Sequence, residues 1–197
     1  MTAAAFLDRD GVINLDRDYV HRWEDFVFVP GAVAAVARLA EAGFRIVVVT
    51  NQSGIARGFY TQEQYIELTR RMIAAFAEQG VDIAAVYHCP HHPSGSVEPF
   101  ARDCGCRKPA PGMLLRAAAE HGLSLADSIL VGDRDSDIAA ARAAGVGRAF
   151  LVRSDHVASR ATGADTLPDA YFDDLAQCVD TLLRAAAPTP PCHSSDA

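Results

Sequence analysis

Lysine is almost missing from this chain: of its eighteen basic residues one is a lysine, Lys108, and the rest are arginine. Basic residues are in turn outnumbered by twenty-five acids, for a net charge of −7. That balance argues against a nucleic-acid partner, which usually requires a basic face. No apolar run approaches the ~20 residues needed to cross a bilayer. The first residues, MTAAAFLDRD, also lack the basic start of a signal peptide, so a cytoplasmic protein with no membrane partner is expected. Five cysteines, three of them between positions 89 and 106, suit a metal site better than a disulfide framework. There is no internal repeat.

What is present is apolar bulk in alternating segments. Half of the 197 residues are hydrophobic, enough for one good core. A single domain is expected over residues 1–187, with the Pro/Ser-rich stretch 188–197, which carries Cys192 and His193, as a disordered tail. Apolar AAAFL near the start, IVVVT (46–50), IAAVYHC (83–89), SILVG (128–132) and RAFLV (148–152) read as strands. Between them, a Thr61-x-x-Gln64 capping box opens a helix to about Gln79, and PGMLLRAAAEH (111–121) is helical and closed by Gly122. DRDSDIAAARAAG continues as helix to about Ala144, and DDLAQCVDTLLRAAA is an apolar helix in which Cys178 reads as core packing. Strands separated by helices of this length predict an α/β fold, a doubly wound parallel sheet with helices on both faces.

Four polar constellations punctuate this pattern. Asp8 and Asp10 follow the first strand, and alternate residues of an extended segment point the same way. Two acids at the carboxyl end of a strand suit a divalent cation, a carboxylate nucleophile, or both. An Asp-rich turn capping the strand is the bland alternative. Asp133 immediately follows a later strand and is expected at the same sheet edge. Asp137, further on, either orients the loop or complements a helix N-terminus. Thr50 ends the second strand, and its hydroxyl, with the N–H groups of the Asn51-Gln52-Ser53-Gly54 turn, can hold a phosphoryl oxygen. Cys89-x-His91, twelve residues, then Cys104-x-Cys106 supply a complete tetrahedral set for a structural zinc, with His88 and His92 as possible substitutes for His91. Arg107-Lys108 follows directly. The chain's one lysine, a compact point charge beside a planar fork, suits a phosphorylated substrate.

Taken in order, FLDRDGVIN, VVVTNQSGIARG, CRKP and VGDRDSD resemble the four motifs of the haloacid dehalogenase (HAD) superfamily phosphatases. YVH, NQSGIARG, the CPHHPSGSV loop and CGCRKPAPGM narrow the likeness to the heptose-1,7-bisphosphate phosphatase family, in the histidinol-phosphatase-like branch with a zinc loop. It extends over roughly residues 5–153. The short segments between motifs leave no room for a large cap domain, and a monomer is expected of so short a chain. The resemblance implies an HAD-like enzyme acting on a small phosphorylated sugar. In it Asp8 is the nucleophile and Asp10 the general acid–base, with Thr50 and Lys108 stabilising the transferring phosphoryl group. Mg2+ is held by Asp8, Asp10 (through its backbone carbonyl) and Asp133, and Zn2+ by Cys89, His91, Cys104 and Cys106. Substrate contacts fall at Asp16, Arg17, Asp18, Tyr19, Asn51, Gln52, Ser53 and Arg107. Arg134 joins them at a position where the family often has lysine, and Val12 replaces a common threonine. A histidinol-phosphate phosphatase is the nearest rival, though its second-motif loop typically reads NQDG. A small polynucleotide 3'-phosphatase conflicts with the acidic charge. A non-catalytic zinc-bearing module stands opposed to Asp8, Asp10, Lys108 and Asp133 all being present.

Overall fold

The computed structural model describes residues 2–153 and 167–186. The expected disordered tail lies outside them. Six strands form one parallel sheet: β1 (Thr2–Leu7), β2 (Arg45–Asn51), β3 (Ile83–Cys89), β4 (Leu123–Gly132), β5 (Arg148–Val152) and β6 (Ala170–Phe172). Their spatial order is β3-β2-β1-β4-β5-β6. The helices are α1 (Ala32–Glu41), the single turn α2 (Ser53–Ala56), α3 (Gln62–Ala77), α4 (Gly112–His121), α5 (Asp135–Ala144) and α6 (Leu175–Ala186).

Alternation along β1 divides the core. Ala5 and Leu7 face one side and join Val36, Leu39, Met72, Phe76 and Val179 of α1, α3 and α6. Ala4 and Phe6 face the other and join Met113, Leu114, Ile138 and Ala141 of α4 and α5. Strands covered on both faces read as continuous apolar runs, which is why IVVVT and AAAFL stand out in the sequence. The Thr61 capping box forms as expected: Thr61 Oγ1 accepts from the Gln64 N–H at 3.2 Å, and Gln64 Oε1 accepts from the Thr61 N–H at 2.8 Å.

Two features differ from the sequence reading. β4 begins at Leu123 rather than Ser128, because Thr2↔Leu123 and Ala3↔Ser124 pair before a register shift and the main ladder resumes at Ala5↔Ile129. α1 and β6 had no counterpart in the sequence reading. Gly31, at φ 79°, starts α1 in a left-handed turn, and the Ala-rich α1 packs on α6, with Arg38 paired to Asp180. Among the described residues, no helix is long and apolar enough to cross a membrane.

Topology places the site. β1 lies between β2 and β4, with Leu7 in register with both Val48 and Val131. The chain therefore leaves three neighbouring strands at one edge, at Asp8, Thr50 and Asp133. Asn51↔Cys89 pairing brings the cysteine loop to the same edge. In an open parallel sheet this carboxyl edge is where ligands bind.

Candidate active site

A cavity of about 390 Å³ opens at that edge, lined by Asp8, Asp10, Thr50, Lys108, Arg134 and Asp137 among others. At its base Asp8, Asp133 and Asp137 are buried, and their carboxylate oxygens lie within 4.8 Å of one another. Gly11, at φ +84°, makes this approach possible: a Cβ there would sit 2.4 Å from Asp133 Oδ2. Hard oxygen donors grouped this closely fit a cation such as Mg2+ or Ca2+.

Lys108 is 3 % exposed. Its Nζ pairs with Asp8 Oδ1 at 2.9 Å and Asp137 Oδ1 at 2.5 Å, and donates to the Val49 carbonyl at 2.8 Å. Burial disfavours its charge, but Asp137 and Asp8 outweigh that and hold the ammonium above its ordinary value. Burial pushes the Asp8 carboxyl up to about 6; Lys108 opposes the shift, while Asp137 and Asp10 add to it. Asp137 divides its two oxygens between two partners. Oδ1 holds Lys108, and Oδ2 accepts the Arg134 N–H at 3.0 Å at the start of α5.

Asp10 is turned away from the carboxylate cluster. Its oxygens accept from Arg9 Nε and Nη2 (2.9–3.2 Å), Asn14 Nδ2 (3.0 Å) and Gln52 Nε2 (2.9 Å). Arg9, 1 % exposed, also donates to the Val20 carbonyl and lies over the Tyr65 ring. Sequence reasoning passed over Arg9 because an arginine between two aspartates looks like a solvated charge. Its burial depends on residues far along the chain, the Val20 carbonyl and the Tyr65 ring.

The expected substrate-contact residues divide. Asp16, Asp18, Tyr19, Asn51, Gln52, Ser53, Arg107 and Arg134 line the cavity, whereas Arg17 is exposed and outside its lining. Arg134 reaches across to Asp16 at 3.0 Å. Asp18 and Tyr19 both sit at φ 56°, and Tyr19 meets Phe59 edge-on, with ring centroids 4.6 Å apart. Asn51 is committed to the backbone of Lys108, donating to its carbonyl at 3.0 Å and accepting its N–H at 3.1 Å. The Gln52 N–H donates to the Cys89 carbonyl at 2.8 Å, which removes it from the phosphate-holding turn expected there. Tyr60, Pro109 and Ser136 also line the cavity and had no signal in the sequence.

Beside the cavity, Cys89, His91, Cys104 and Cys106 converge. Their sulfurs are 3.2–3.4 Å apart, and His91 Nδ1 is 3.4 Å from Cys106 Sγ and 3.7 Å from Cys89 Sγ. All four cysteines of the described residues, including the buried Cys178, are free thiols. The alternatives to His91 are engaged elsewhere: the His88 ring lies tilted against Tyr65, and His92 meets Arg57 at 3.1 Å. The group can hold a metal ion.

Comparison with known proteins agrees with this geometry. The HAD-hydrolase-like family model matches residues 105–178. A D-glycero-beta-D-manno-heptose-1,7-bisphosphate 7-phosphatase of Yersinia pestis is 51 % identical over 77 % of this chain and 80 % of its own. A D-glycero-alpha-D-manno-heptose-1,7-bisphosphate 7-phosphatase of Photorhabdus laumondii is 45 % identical over 85 % of this chain and 92 % of its own. The crystal structure of D,D-heptose 1,7-bisphosphate phosphatase from B. bronchiseptica, complexed with magnesium and phosphate, superposes with a TM-score of 0.78. It is 34 % identical over 93 % of this chain and 99 % of that one. With identity at this level over most of the length, the chain belongs to the heptose-1,7-bisphosphate 7-phosphatase family of HAD-like hydrolases.

Proposed function

We propose that this protein is a phosphatase that removes the C7 phosphate of D-glycero-D-manno-heptose 1,7-bisphosphate, leaving heptose 1-phosphate for nucleotide-activated heptose synthesis. The observation that carries the proposal is Asp8, a buried carboxylate at the base of a polar cavity, held 2.9 Å from the buried Lys108 ammonium.

In this reading the Asp8 carboxylate attacks phosphorus in line and the bond from phosphorus to the C7 oxygen breaks. Asp10 delivers its proton to that oxygen as the sugar leaves. Water then attacks the aspartyl-phosphate and Asp10 takes its proton. The bond to Asp8 breaks, and phosphate departs. Thr50 and Lys108 supply hydrogen and positive charge to the equatorial oxygens, where charge gathers in the transition state. Asp8, Asp133 and the Asp10 backbone carbonyl would hold Mg2+, with Asp137 in the same carboxylate group. When bound, that ion offsets the repulsion between carboxylate and phosphoryl group. Arg107, with Asp16, Asp18, Tyr19, Ser53 and Arg134, would select the sugar and its distal phosphate.

Zinc is the metal proposed for Cys89, His91, Cys104 and Cys106, since soft thiolates with an imidazole suit it and four protein donors leave no open position. The remaining features are proposed as well: one domain over residues 1–187, a site screened by loops rather than a cap, and a cytoplasmic monomer with neither a nucleic-acid nor a membrane partner.

The test is magnesium-dependent phosphate release, with 31P NMR reporting which phosphate is lost. Loss of the C7 phosphate only, abolished by Asp8→Asn, is expected. Loss of the C1 phosphate, or release that survives the substitution, refutes the reading.

A further inference from the structure

Gln52 stands two residues after Thr50 and lines the cavity, where a side chain is expected to meet substrate. It is 2 % exposed, and its amide is already committed inside the protein. Nε2 donates to Asp10 Oδ2 and to Thr50 Oγ1, each at 2.9 Å, and Oε1 accepts from the Tyr60 hydroxyl at 2.5 Å. A primary amide has two N–H donors, so both are taken.

The directions of these bonds are fixed by chemistry. Asp10 Oδ2 also accepts from Arg9 Nη2 at 2.9 Å, so it meets Gln52 as an acceptor and the NH2 end of the amide faces it. The carbonyl end then faces Tyr60, which must donate. Thr50 accepts from Gln52, and this leaves its own hydroxyl hydrogen free to point into the cavity, toward the place of a phosphoryl oxygen. Tyr60 is held in turn by packing. It is 5 % exposed and stacks on His21, with centroids 5.0 Å apart and planes at 6°. Its ring lies against Gly54, where a Cβ would sit 2.1 Å from Cε1. Only a glycine at position 54 lets the ring come this close.

We infer that Gln52 is a positioning residue rather than a substrate ligand: held by Tyr60, it fixes the acid–base carboxylate of Asp10 and the hydroxyl of Thr50 relative to each other. The inference rests on the roles proposed above for Asp10 and Thr50. Small displacements of such groups are costly, since a shift of about 1 Å can lower turnover by ~10²-fold.

Two substrates separate the possibilities. Heptose 1,7-bisphosphate loses an alkoxide that needs a proton, while p-nitrophenyl phosphate loses a phenolate that does not. Gln52→Met, which keeps the volume and removes the donors, is expected to lower kcat on the bisphosphate by roughly 10²-fold, with KM within about twofold. On p-nitrophenyl phosphate, kcat/KM should fall by less than about tenfold, because leaving-group protonation drops out. Tyr60→Phe should shift the same ratio in the same direction, by roughly three- to tenfold. If Gln52→Met does not melt cooperatively, Tyr60→Phe, which removes only a hydroxyl, carries the test. A raised KM with unchanged kcat would identify a substrate ligand and overturn the inference. So would equal losses on the two substrates, or no loss at all. Should the wild type reject heptose bisphosphate, the substrate assignment falls alone, and any sugar phosphate it does accept serves in the same comparison.

Discussion

Lys108 ties two of the site's buried carboxylates together. It is the chain's one lysine, and its ammonium lies within 2.9 Å of Asp8, Asp137 and a backbone carbonyl. Lys108→Ala should lower kcat by about 10²- to 10³-fold, the usual cost of losing a preorganised donor to developing charge. It should also lower the melting temperature, since Asp8 and Asp137 would be left facing each other without their cation. Lys108→Arg should rescue little, because a planar fork cannot occupy a three-way tetrahedral position. A Lys108→Ala enzyme with near-normal turnover would make this lysine structural. The importance of Lys108 was legible from composition alone, since arginine serves equally well on a solvated surface. The partners of Asn51 and Gln52 were not. Their position after a strand marks the loop, but whether an amide turns to substrate or to a neighbour depends on contacts far away, such as the Asn51–Lys108 pair, separated by 57 residues.

At the scale of elements, apolar runs and caps were readable because their determinants are local. Thr61 and Gln64 announce α3 by three-residue spacing, and the reciprocal bonds form. Thr61→Ala should cost about 1 kcal/mol in denaturant unfolding and leave turnover unchanged, as the cap is remote from the cavity. No change in stability would show the box contributes nothing. The start of β4 was missed for the opposite reason. Ser124 and Asp127 read as loop, and only pairing with Thr2 and Ala3 draws the segment into the sheet. The cysteine loop runs from the end of β3 directly into Arg107 and Lys108, so its order sets theirs. Purified protein should carry about one zinc per chain, as a closed four-donor site requires. Cys104→Ser with Cys106→Ser should remove that zinc, measured by metal analysis, and depress activity chiefly through loop disorder. Full activity without the metal would sink the structural role.

Across the whole molecule, one sheet edge gathers the residues to which the proposed chemistry is assigned. Strand order places β1 between β2 and β4, so residues far apart in the chain, from Asp8 to Asp137, meet at one cavity. The sequence shows each strand end and its acids separately; their meeting follows from parallel topology, which alternating strands and helices predict. In the proposed reading selectivity belongs to the rim: Asp16, Asp18, Tyr19 and the Arg134 that reaches across to Asp16. Nothing local in the sequence indicates that Arg134 crosses to Asp16. Relatives named for both anomers match this chain, so both belong in the decisive assay. That measurement is kcat/KM with Mg2+ for the α and β anomers of heptose 1,7-bisphosphate beside histidinol phosphate. A value for either heptose at least about 10²-fold above histidinol phosphate is predicted, the discrimination expected when a second phosphate finds its charged partners. Preference for histidinol phosphate would contradict the assignment while leaving the aspartate chemistry intact.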